Sequence, residues 1–240
     1  MIDIHSHILF GLDDGSDNLE ESVRMAHIAV NSGVKAIIAT PHSNVPNSYQ
    51  NFWCADISQR LSQLNKRLEA DRIPLRVFPG NEIFSTDDII EMIKSKKLLP
   101  LNNSDYPLIE FDTYERSASA YRQIEALIAE GFTPIIAHPE RYAFVHEDPN
   151  SIIRLKKRGA LIQINKGSLK GSFGKTACRI SCRIIEKQLA DFVASDAHSP
   201  YMRTPFLEDA HEAVSLMSSF DYAELIFNNN PAKVILNKKI

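Results

Sequence analysis

Apolar and polar positions follow two patterns that repeat one after the other along the chain. Short apolar runs are typical of buried strands, and the segments between them carry apolar residues three and four positions apart, as on one helix face. In the first such segment Leu19, Val23, Ala26 and Val30 share a face, and Gly33 follows them. The apolar runs predict strands at 1–5, 34–39, 75–78, 106–111, 133–137, 160–164 and 192–194.

Helices are predicted between these strands and after the last one. Glycines that follow an amphipathic segment indicate a helix C-terminus, and a proline at its start indicates an N-terminus. The predicted helices lie at 18–33, 56–71, 87–97, 118–130, 149–158, 176–188, 205–218 and 221–227, and a last one begins at Pro231.

The seven strand–helix units predict an α/β fold with parallel strands. At 240 residues, this order favours a closed or nearly closed β/α barrel over an open doubly wound sheet. The chain carries no Rossmann or P-loop glycine pattern. The stretch 166–175, rich in Gly, Ser and Lys, indicates a long loop after a strand rather than a linker. We therefore expect a single domain spanning residues 1–240.

Residues that can bind metal follow the predicted strands. His5 and His7 are two positions apart on a strand, so their side chains point the same way, and an Asp-Asp-Gly turn comes next. The strand C-termini of a β/α barrel share one rim, where active sites are built. A buried carboxylate there is costly unless a cation accompanies it. The pattern predicts a divalent metal site from these two histidines and from His42, Glu82, Glu110, His138, Asp196 and His198.

Composition disfavours several other classes of function. The net charge of −3 gives no electrostatic footprint for nucleic acid. No apolar run reaches membrane-spanning length, and the N-terminus enters a strand without a signal peptide. Three cysteines without paired spacing favour a reducing compartment. We therefore expect a cytoplasmic protein with no nucleic-acid partner and no membrane insertion.

A competing motif is the C-x5-R spacing of Cys54 and Arg60, which thiol-based tyrosine phosphatases share. That chemistry needs a loop whose backbone N–H groups turn toward phosphate and a thiolate of lowered pKa. The segment here has no glycine and runs into a helix with Ile57, Leu61 and Leu64 on one face. We therefore expect no cysteine nucleophile.

Taken together, the polar motifs resemble those of the polymerase-and-histidinol-phosphatase (PHP) superfamily. Within it, they are similar to the bacterial metal-dependent protein-tyrosine phosphatases of capsule and exopolysaccharide loci, the CpsB/YwqE type. The similarity runs in the same order from residue 1 to about residue 203. The motifs are D-I-H-S-H at 3–7, D-D-G at 13–15, T-P-H at 40–42, G-N-E at 80–82, L-I-E-F at 108–111, H-P-E-R at 138–141 and S-D-A-H at 195–198.

The resemblance implies a distorted seven-stranded β/α barrel, the PHP fold, holding three divalent ions that are usually manganese. One ion would take His5, His7, Glu82 and Asp196; a second would share Glu82 and add Glu110 and His138; the third would take Asp14, His42 and His198. Nitrogen and carboxylate oxygen donors without a thiolate suit Mn, Fe or Zn.

A phosphate ester substrate follows from the same resemblance. The four carboxylates of the ligand set carry a charge of about −4. Three divalent ions would therefore give the site a net charge of about +2, which attracts a phosphate dianion. Clustered ions lower the pKa of a water toward neutrality. Arg141 and Arg203 would add charge-assisted hydrogen bonds to the phosphate, and we also carry His42 as a catalytic candidate.

Three functions stay open at this point. The leading one is hydrolysis of phosphotyrosine in a protein, which we expect to be a tyrosine autokinase of polysaccharide export. The second is hydrolysis of a small phosphate ester such as histidinol phosphate, or a 3′–5′ exonuclease, which the acidic charge disfavours. The third is a non-catalytic metal-binding scaffold, against which the complete ligand set argues.

Overall fold

The computed structural model describes residues 1–240. All of its paired strands run parallel. They are Ile2–Ser6 (β1), Ala36–Ala39 (β2), His42–Ser43 (β3), Arg76–Phe78 (β4), Glu82–Phe84 (β5), Leu108–Glu110 (β6), Ile135–Ala137 (β7), Leu161–Asn165 (β8) and Phe192–Ala194 (β9). One sheet has the order β1-β2-β4 and the other β3-β5-β6-β7-β8-β9. The predicted α/β fold with parallel sheets is confirmed.

A single seven-stranded barrel is not confirmed, because the chain breaks after two of the predicted strands and continues as a further short strand in the other sheet. Two residues that include Pro41 separate β2 from β3, and three that begin with Pro79 separate β4 from β5. Proline has no backbone N–H to donate to a strand ladder. No strand ladder joins β1 to β9; an isolated bridge between Ser6 and Ala197 and the Asp196 N–H bond to His5 O at 2.9 Å connect β1 to the segment after β9. The result is nine short strands in two sheets.

Helices follow most of the strands. They are Leu19–Asn31 (α1), Ala55–Ala70 (α2), Ile89–Lys94 (α3), Ser117–Ala129 (α4), Ala143–Glu147 (α5), Ser151–Lys157 (α6), Lys166–Leu169 (α7), Lys175–Glu186 (α8), Glu208–Met217 (α9), Phe220–Glu224 (α10) and Asn230–Ile235 (α11). A π-helical stretch, Leu225–Asn229, joins α10 to α11. The predicted long loop at 166–175 begins with the short helix α7. No helix combines the length and the apolar composition that crossing a lipid bilayer requires.

Buried apolar side chains form two clusters on opposite faces of the strands. The larger contains 47 residues, among them Ile136 of β7, and joins the strands to the helices. The smaller contains 10 residues, among them Leu108 and Ala194. Glu110 comes two positions after Leu108, and Asp196 two positions after Ala194, so each faces the same side of the sheet as that apolar residue. The polar site therefore lies directly beyond the smaller cluster.

An irregularity in β1 bears on the site. The register of β1 against β2 shifts between Asp3 and Ser6. Ile4 belongs to the smaller apolar cluster, yet the next side chain, His5, contacts Glu82. A β-bulge re-aims a side chain by locally twisting the strand. This is why two consecutive side chains of β1 face the same interior.

Candidate metal centre

The nine predicted metal ligands come together at the C-terminal end of the sheets. His5, His42, Glu82 and Glu110 lie within strands, and the other five lie on the loops that follow strands. Within each of four groups, one ligand atom per residue lies within 4.8 Å of the others. The groups are His7, Asp14, His42 and His198; His5, His7 and Asp196; His5, Glu82 and His138; and His42, Glu82 and Glu110.

Glu82 is at the centre of this arrangement and is fully buried. Its Oε2 lies 2.9 Å from His42 Nδ1, 3.2 Å from His5 Nε2 and 3.3 Å from His7 Nε2. Its Oε1 lies 2.8 Å from His138 Nε2. One carboxylate thus touches four imidazoles, a geometry that suits a ligand shared between ions.

The observed groups differ in part from the predicted ligand sets. The predicted set of Asp14, His42 and His198 is present with His7 added. The predicted set around Glu82 is divided, because Glu110 groups with His42 and His138 groups with His5. His138 Nε2 and Glu110 Oε1 are 3.8 Å apart.

Asp13, which the sequence analysis left outside the ligand set, orients His7. Its Oδ2 lies 2.7 Å from His7 Nδ1 and accepts the backbone N–H of His42 at 2.8 Å. Burial acts to raise the pKa of Asp13, but contact with His7 and the His42 N–H lowers it below the ordinary value. An ionised acceptor on Nδ1 fixes the tautomer and leaves Nε2 of His7 free for a metal.

A buried chain of amides connects two further ligands, and the sequence analysis missed it. His5 Nδ1 lies 2.9 Å from Gln163 Oε1, and Gln163 Nε2 donates to Asn165 Oδ1 at 2.9 Å. Asn165 Nδ2 in turn donates to Asp196 Oδ2 at 2.5 Å. The available signal was two polar residues at alternate positions of the otherwise apolar strand β8, since buried amides need hydrogen-bond partners.

Three loop residues at the site have left-handed backbone conformations. The φ angles are 34° at His138, 50° at Asp196 and 50° at Arg203. Non-glycine residues rarely adopt this region, and holding one there costs on the order of 1–3 kcal/mol. The loop after β9 is fixed from below, because Ser195 donates its backbone N–H to Asp3 Oδ1 at 3.0 Å and its hydroxyl to Oδ2 at 2.5 Å.

Burial shifts the protonation equilibria at the centre. Burial and the neighbouring Glu82 carboxylate raise the pKa of Glu110 to about 8. Burial and the positive charge of Arg141 lower the pKa of His138 to about 4. At His5 burial acts in the lowering direction, but Glu82 and Asp196 outweigh it and raise the pKa to about 9. The raised pKa values of Glu110 and His5 both follow from carboxylates held close together, a crowding that bound cations would relieve.

The residues present fit divalent metal ions. Buried polar atoms in folded proteins normally have hydrogen-bond partners. Four at this centre make no hydrogen bond of regular geometry: His42 Nδ1, Glu82 Oε2, His138 Nδ1 and His198 Nε2, although the first two lie 2.9 Å apart. Imidazole nitrogen and carboxylate oxygen are the donors that Mn, Fe and Zn take, and no cysteine belongs to the groups.

Both predicted arginines contact the centre. Arg141 Nη1 lies 3.6 Å and Arg203 Nη2 2.6 Å from Asp196 Oδ2. Their guanidinium carbons lie 4.6 Å and 5.4 Å from the centroid of the Phe173 ring. Arg203 Nε is buried without a partner. The arginines therefore pair with a candidate metal ligand rather than with a separate surface acid, and Phe173 is a site residue that the sequence analysis missed.

The C-x5-R motif forms no comparable site. Cys54 is exposed and directly precedes α2. Arg60 Nε donates to Asp56 at 2.9 Å, and Arg60 Nη1 donates to the Phe10 carbonyl at 3.2 Å. The arginine is thus engaged away from the thiol.

Comparison with known proteins identifies the family. The model of the family "Capsular polysaccharide synthesis, CpsB/CapC" matches residues 1–236. The chain belongs to the CpsB/CapC family. Tyrosine-protein phosphatase YwqE of Bacillus subtilis is 41% identical to it over 88% of this chain and 82% of that protein. The putative tyrosine-protein phosphatase CapC of Staphylococcus aureus is 35% identical over 100% of this chain and 93% of that protein.

Solved structures agree with the CpsB/CapC assignment. One match comes from the crystal structures of YwqE from Bacillus subtilis and CpsB from Streptococcus pneumoniae, which are described as "unique metal-dependent tyrosine phosphatases". Its TM-score is 0.93, with 38% identity over 100% of this chain and 96% of the other. Histidinol phosphate phosphatase from Lactococcus lactis matches with a TM-score of 0.60 and 13% identity, over 91% and 94% of the two chains. The second likeness shows a shared fold, and the family predicted from the motifs is confirmed.

Proposed function

We propose that this chain is a metal-dependent protein-tyrosine phosphatase. The observation that carries the proposal is that Arg141 and Arg203 meet the candidate metal ligands at Asp196, so donors for phosphate adjoin the cation site. Relatives that align with nearly the whole chain are named tyrosine-protein phosphatases. A phosphate monoester carries two negative charges at neutral pH, and the bound cations and the two arginines would both supply positive charge to it.

The candidate ligands would hold three divalent ions, with Mn²⁺ the expected metal and Fe or Zn compatible with the same donors. One ion would take His5, His7, Glu82 and Asp196; another would share Glu82 and add Glu110 and His138; the third would take Asp14, His42 and His198. Bound ions of this kind supply a nucleophilic water at neutral pH and offset phosphate charge. Asp13 and Gln163 keep the metal-facing nitrogens of His7 and His5 free by engaging the opposite ring nitrogens.

Phosphate orientation falls to the arginines. A guanidinium presents a planar fork of N–H donors that matches two phosphoryl oxygens. Arg203 Nε has no partner within the protein and is free to donate. The leaving group is a phenolate with a pKa of about 10, so it needs less protonation than an alkoxide would. His42 stays a catalytic candidate as well as a candidate metal ligand, because it also lines the groove beside the metal centre.

Further features complete the proposal. We take residues 1–240 as one domain that forms a distorted seven-stranded β/α barrel. The bridge between Ser6 and Ala197 supports this, as does the hydrogen bond from the His7 N–H to Ala197 O at 2.8 Å. We expect a cytoplasmic location, on the basis of the three unpaired cysteines. The protein substrate we expect is a tyrosine autokinase of polysaccharide export, in keeping with a family that serves capsule synthesis.

A substrate panel tests the proposal. Phosphate release is measured from a phosphotyrosine peptide, a phosphoserine peptide and histidinol phosphate, and nuclease activity from single-stranded DNA, each with Mn²⁺ and with chelator. We expect Mn²⁺-dependent release that is fastest from the phosphotyrosine peptide. Release confined to histidinol phosphate, or activity that survives chelation, contradicts the proposal. Dephosphorylation of a purified phosphorylated autokinase tests the partner separately.

A further inference from the structure

We propose that the groove beside His42 binds the aromatic ring of the substrate, and that Tyr49 makes the site prefer aryl phosphates to alkyl phosphates. The inference rests on the proposed function and deepens it, because it names the part of the chain that recognises the tyrosyl group. The first observation is a groove at the metal centre that neither Arg141 nor Arg203 lines.

The groove has a volume of about 220 Å³ and opens beside the metal centre. His42 and Glu110, both candidate metal ligands, form part of its lining. Tyr49, Phe84 and Phe111 supply aromatic surface on its walls. Drug-sized ligands occupy pockets of about 300–1,000 Å³, so a groove of this size suits a single ring.

Tyr49 is held in place by its own loop. Its ring lies nearly parallel to the His42 ring, with centroids 5.8 Å apart and planes inclined by 9°. Asn44 at the start of the loop donates to the Phe84 carbonyl at 3.1 Å, and Asn51 at its end donates to the His42 carbonyl at 2.8 Å. Both asparagines have left-handed φ angles, of 64° and 33°. A loop fixed before the substrate arrives reduces the entropy lost on binding.

The second groove at the metal centre is basic. Its volume is about 220 Å³, and Lys166, Lys170 and Arg203 line it together with Phe173 and Tyr201. The guanidinium groups of Arg141 and Arg203 already lie over the Phe173 ring. Basic side chains therefore line the second groove, whereas no lysine or arginine lines the groove beside His42. A phosphotyrosine with its phosphate between the two would direct its ring toward Tyr49.

This arrangement gives a selectivity that can be measured. Aromatic pairs contribute more than their buried area alone, which corresponds to about two- to tenfold in binding. A seryl phosphate carries no ring to place in the groove, so its hydrolysis gains nothing from Tyr49. The quantity that isolates the inference is the ratio of kcat/KM for an aryl phosphate to that for an alkyl phosphate.

The experiment compares Tyr49→Ala, Tyr49→Phe and wild type, all full-length and supplied with Mn²⁺. Phe220→Ala is the matched control, because Phe220 is an aromatic residue that is 63% exposed and lines neither groove. Kinetics use phenyl phosphate and phosphoserine, and calorimetry measures binding of phenylphosphonate and methylphosphonate. We expect Tyr49→Ala to lose about two- to tenfold in kcat/KM for phenyl phosphate, mainly through KM, and the same factor in phenylphosphonate affinity. Tyr49→Ala should keep wild-type values for phosphoserine and methylphosphonate, and Tyr49→Phe and Phe220→Ala should give wild-type values throughout.

Two results overturn the inference. An equal loss on the aryl and alkyl substrates means that Tyr49 only supports His42, and no loss on either substrate means that the ring binds elsewhere. Failure of the proposed function looks different. In that case the wild type hydrolyses neither ester, while phenylphosphonate still binds more tightly than methylphosphonate in a manner that depends on Tyr49.

Discussion

The guanidinium carbon of Arg141 lies 4.6 Å from the centroid of the Phe173 ring. Arg203 lies over the same ring at 5.4 Å, and both arginines reach the Asp196 carboxylate. Gly167 packs so closely that a Cβ there would be 2.8 Å from the Phe173 ring. One aromatic side chain thus aligns both predicted phosphate donors, and the backbone at Gly167 leaves room for it.

Replacing Phe173 by Leu is expected to lower kcat/KM on an aryl phosphate by about 5- to 30-fold. Each cation–π contact at a partly exposed site contributes about 0.5–1 kcal/mol, and the ring makes two of them. Bound metal should stay at the wild-type level, because Phe173 touches none of the candidate ligands except through the arginines. Phe173→Tyr, which keeps the ring, should retain activity. A Phe173→Leu variant with wild-type kinetics would show that the arginines need no platform.

Replacing Arg141 or Arg203 by Ala should reduce kcat/KM by about 10²–10³, the usual loss for one electrostatic donor to a reacting group. Arg→Lys should recover only part, because an ammonium lacks the planar fork. Arg158→Ala is a matched control, since Arg158 also stacks on an aromatic ring, that of Tyr121 at 4.1 Å, but pairs with Glu125. Steady-state kinetics with elemental analysis decides the matter. Unchanged kinetics with normal metal content would exclude both arginines from the site.

The sequence indicated which side chains would meet at the candidate site because metal binding restricts residue type at strand ends. Few residues other than His, Asp and Glu can serve, and parallel strands bring their C-termini together. The breaks at Pro41 and Pro79 were open to the same reasoning, since proline cannot donate to a strand ladder. The predicted strands ended before each break, however, and so β3 and β5 were not predicted.

The residues that support the ligands could not be found in the same way. Gln163 is 158 positions from His5, and only the folded structure shows that their side chains meet. Phe173 lies in a stretch rich in Gly and Ser, whose local pattern indicates a loop and carries no sign of the two arginines above the ring. Such contacts are tertiary, so periodicity along the chain contains no record of them.

Replacing Asp13 by Asn is expected to weaken metal binding about 10- to 100-fold, the usual effect of removing a carboxylate that orients a metal-binding histidine. The amide of Asn carries no charge to face His7 Nδ1. Its NH2 group can also donate to Nδ1, which would move the ring proton to Nε2, the nitrogen that faces the metal. Asp17→Asn is the control, because Asp17 lies in the same loop but its side chain is exposed. Titration of the metal-free protein with Mn²⁺ measures the affinity. Equal affinity in the two variants would mean that Asp13 has no part in orienting His7.

Chelation should abolish phosphatase activity, and added Mn²⁺ should restore it, because the nucleophile depends on the bound ions. Cys54→Ser should leave the activity unchanged, since Cys54 is exposed and Arg60 is engaged with Asp56. The assay is phosphate release from a phosphotyrosine peptide before and after dialysis against chelator. Activity that resists chelation and disappears in Cys54→Ser would reverse the mechanism.

The strongest effect on metal content is expected at Glu82, because its two oxygens lie 2.8–3.3 Å from nitrogens of four histidines. Glu82→Gln keeps the shape of the side chain but loses its charge, and the amide turns donors toward the ions. Asp14→Asn changes a side chain that is 51% exposed and belongs to one group only.

We therefore expect Glu82→Gln to retain the least metal by elemental analysis and to be inactive, and Asp14→Asn to retain more. Thermal unfolding gives an independent measurement, because an ion at 100 times its Kd stabilises the folded state by about 2.7 kcal/mol. The wild type should show this Mn²⁺-dependent rise in Tm, Asp14→Asn part of it, and Glu82→Gln the least. Full metal content and a normal rise in Glu82→Gln, with loss of both in Asp14→Asn, would show that Asp14 rather than Glu82 holds the cluster together.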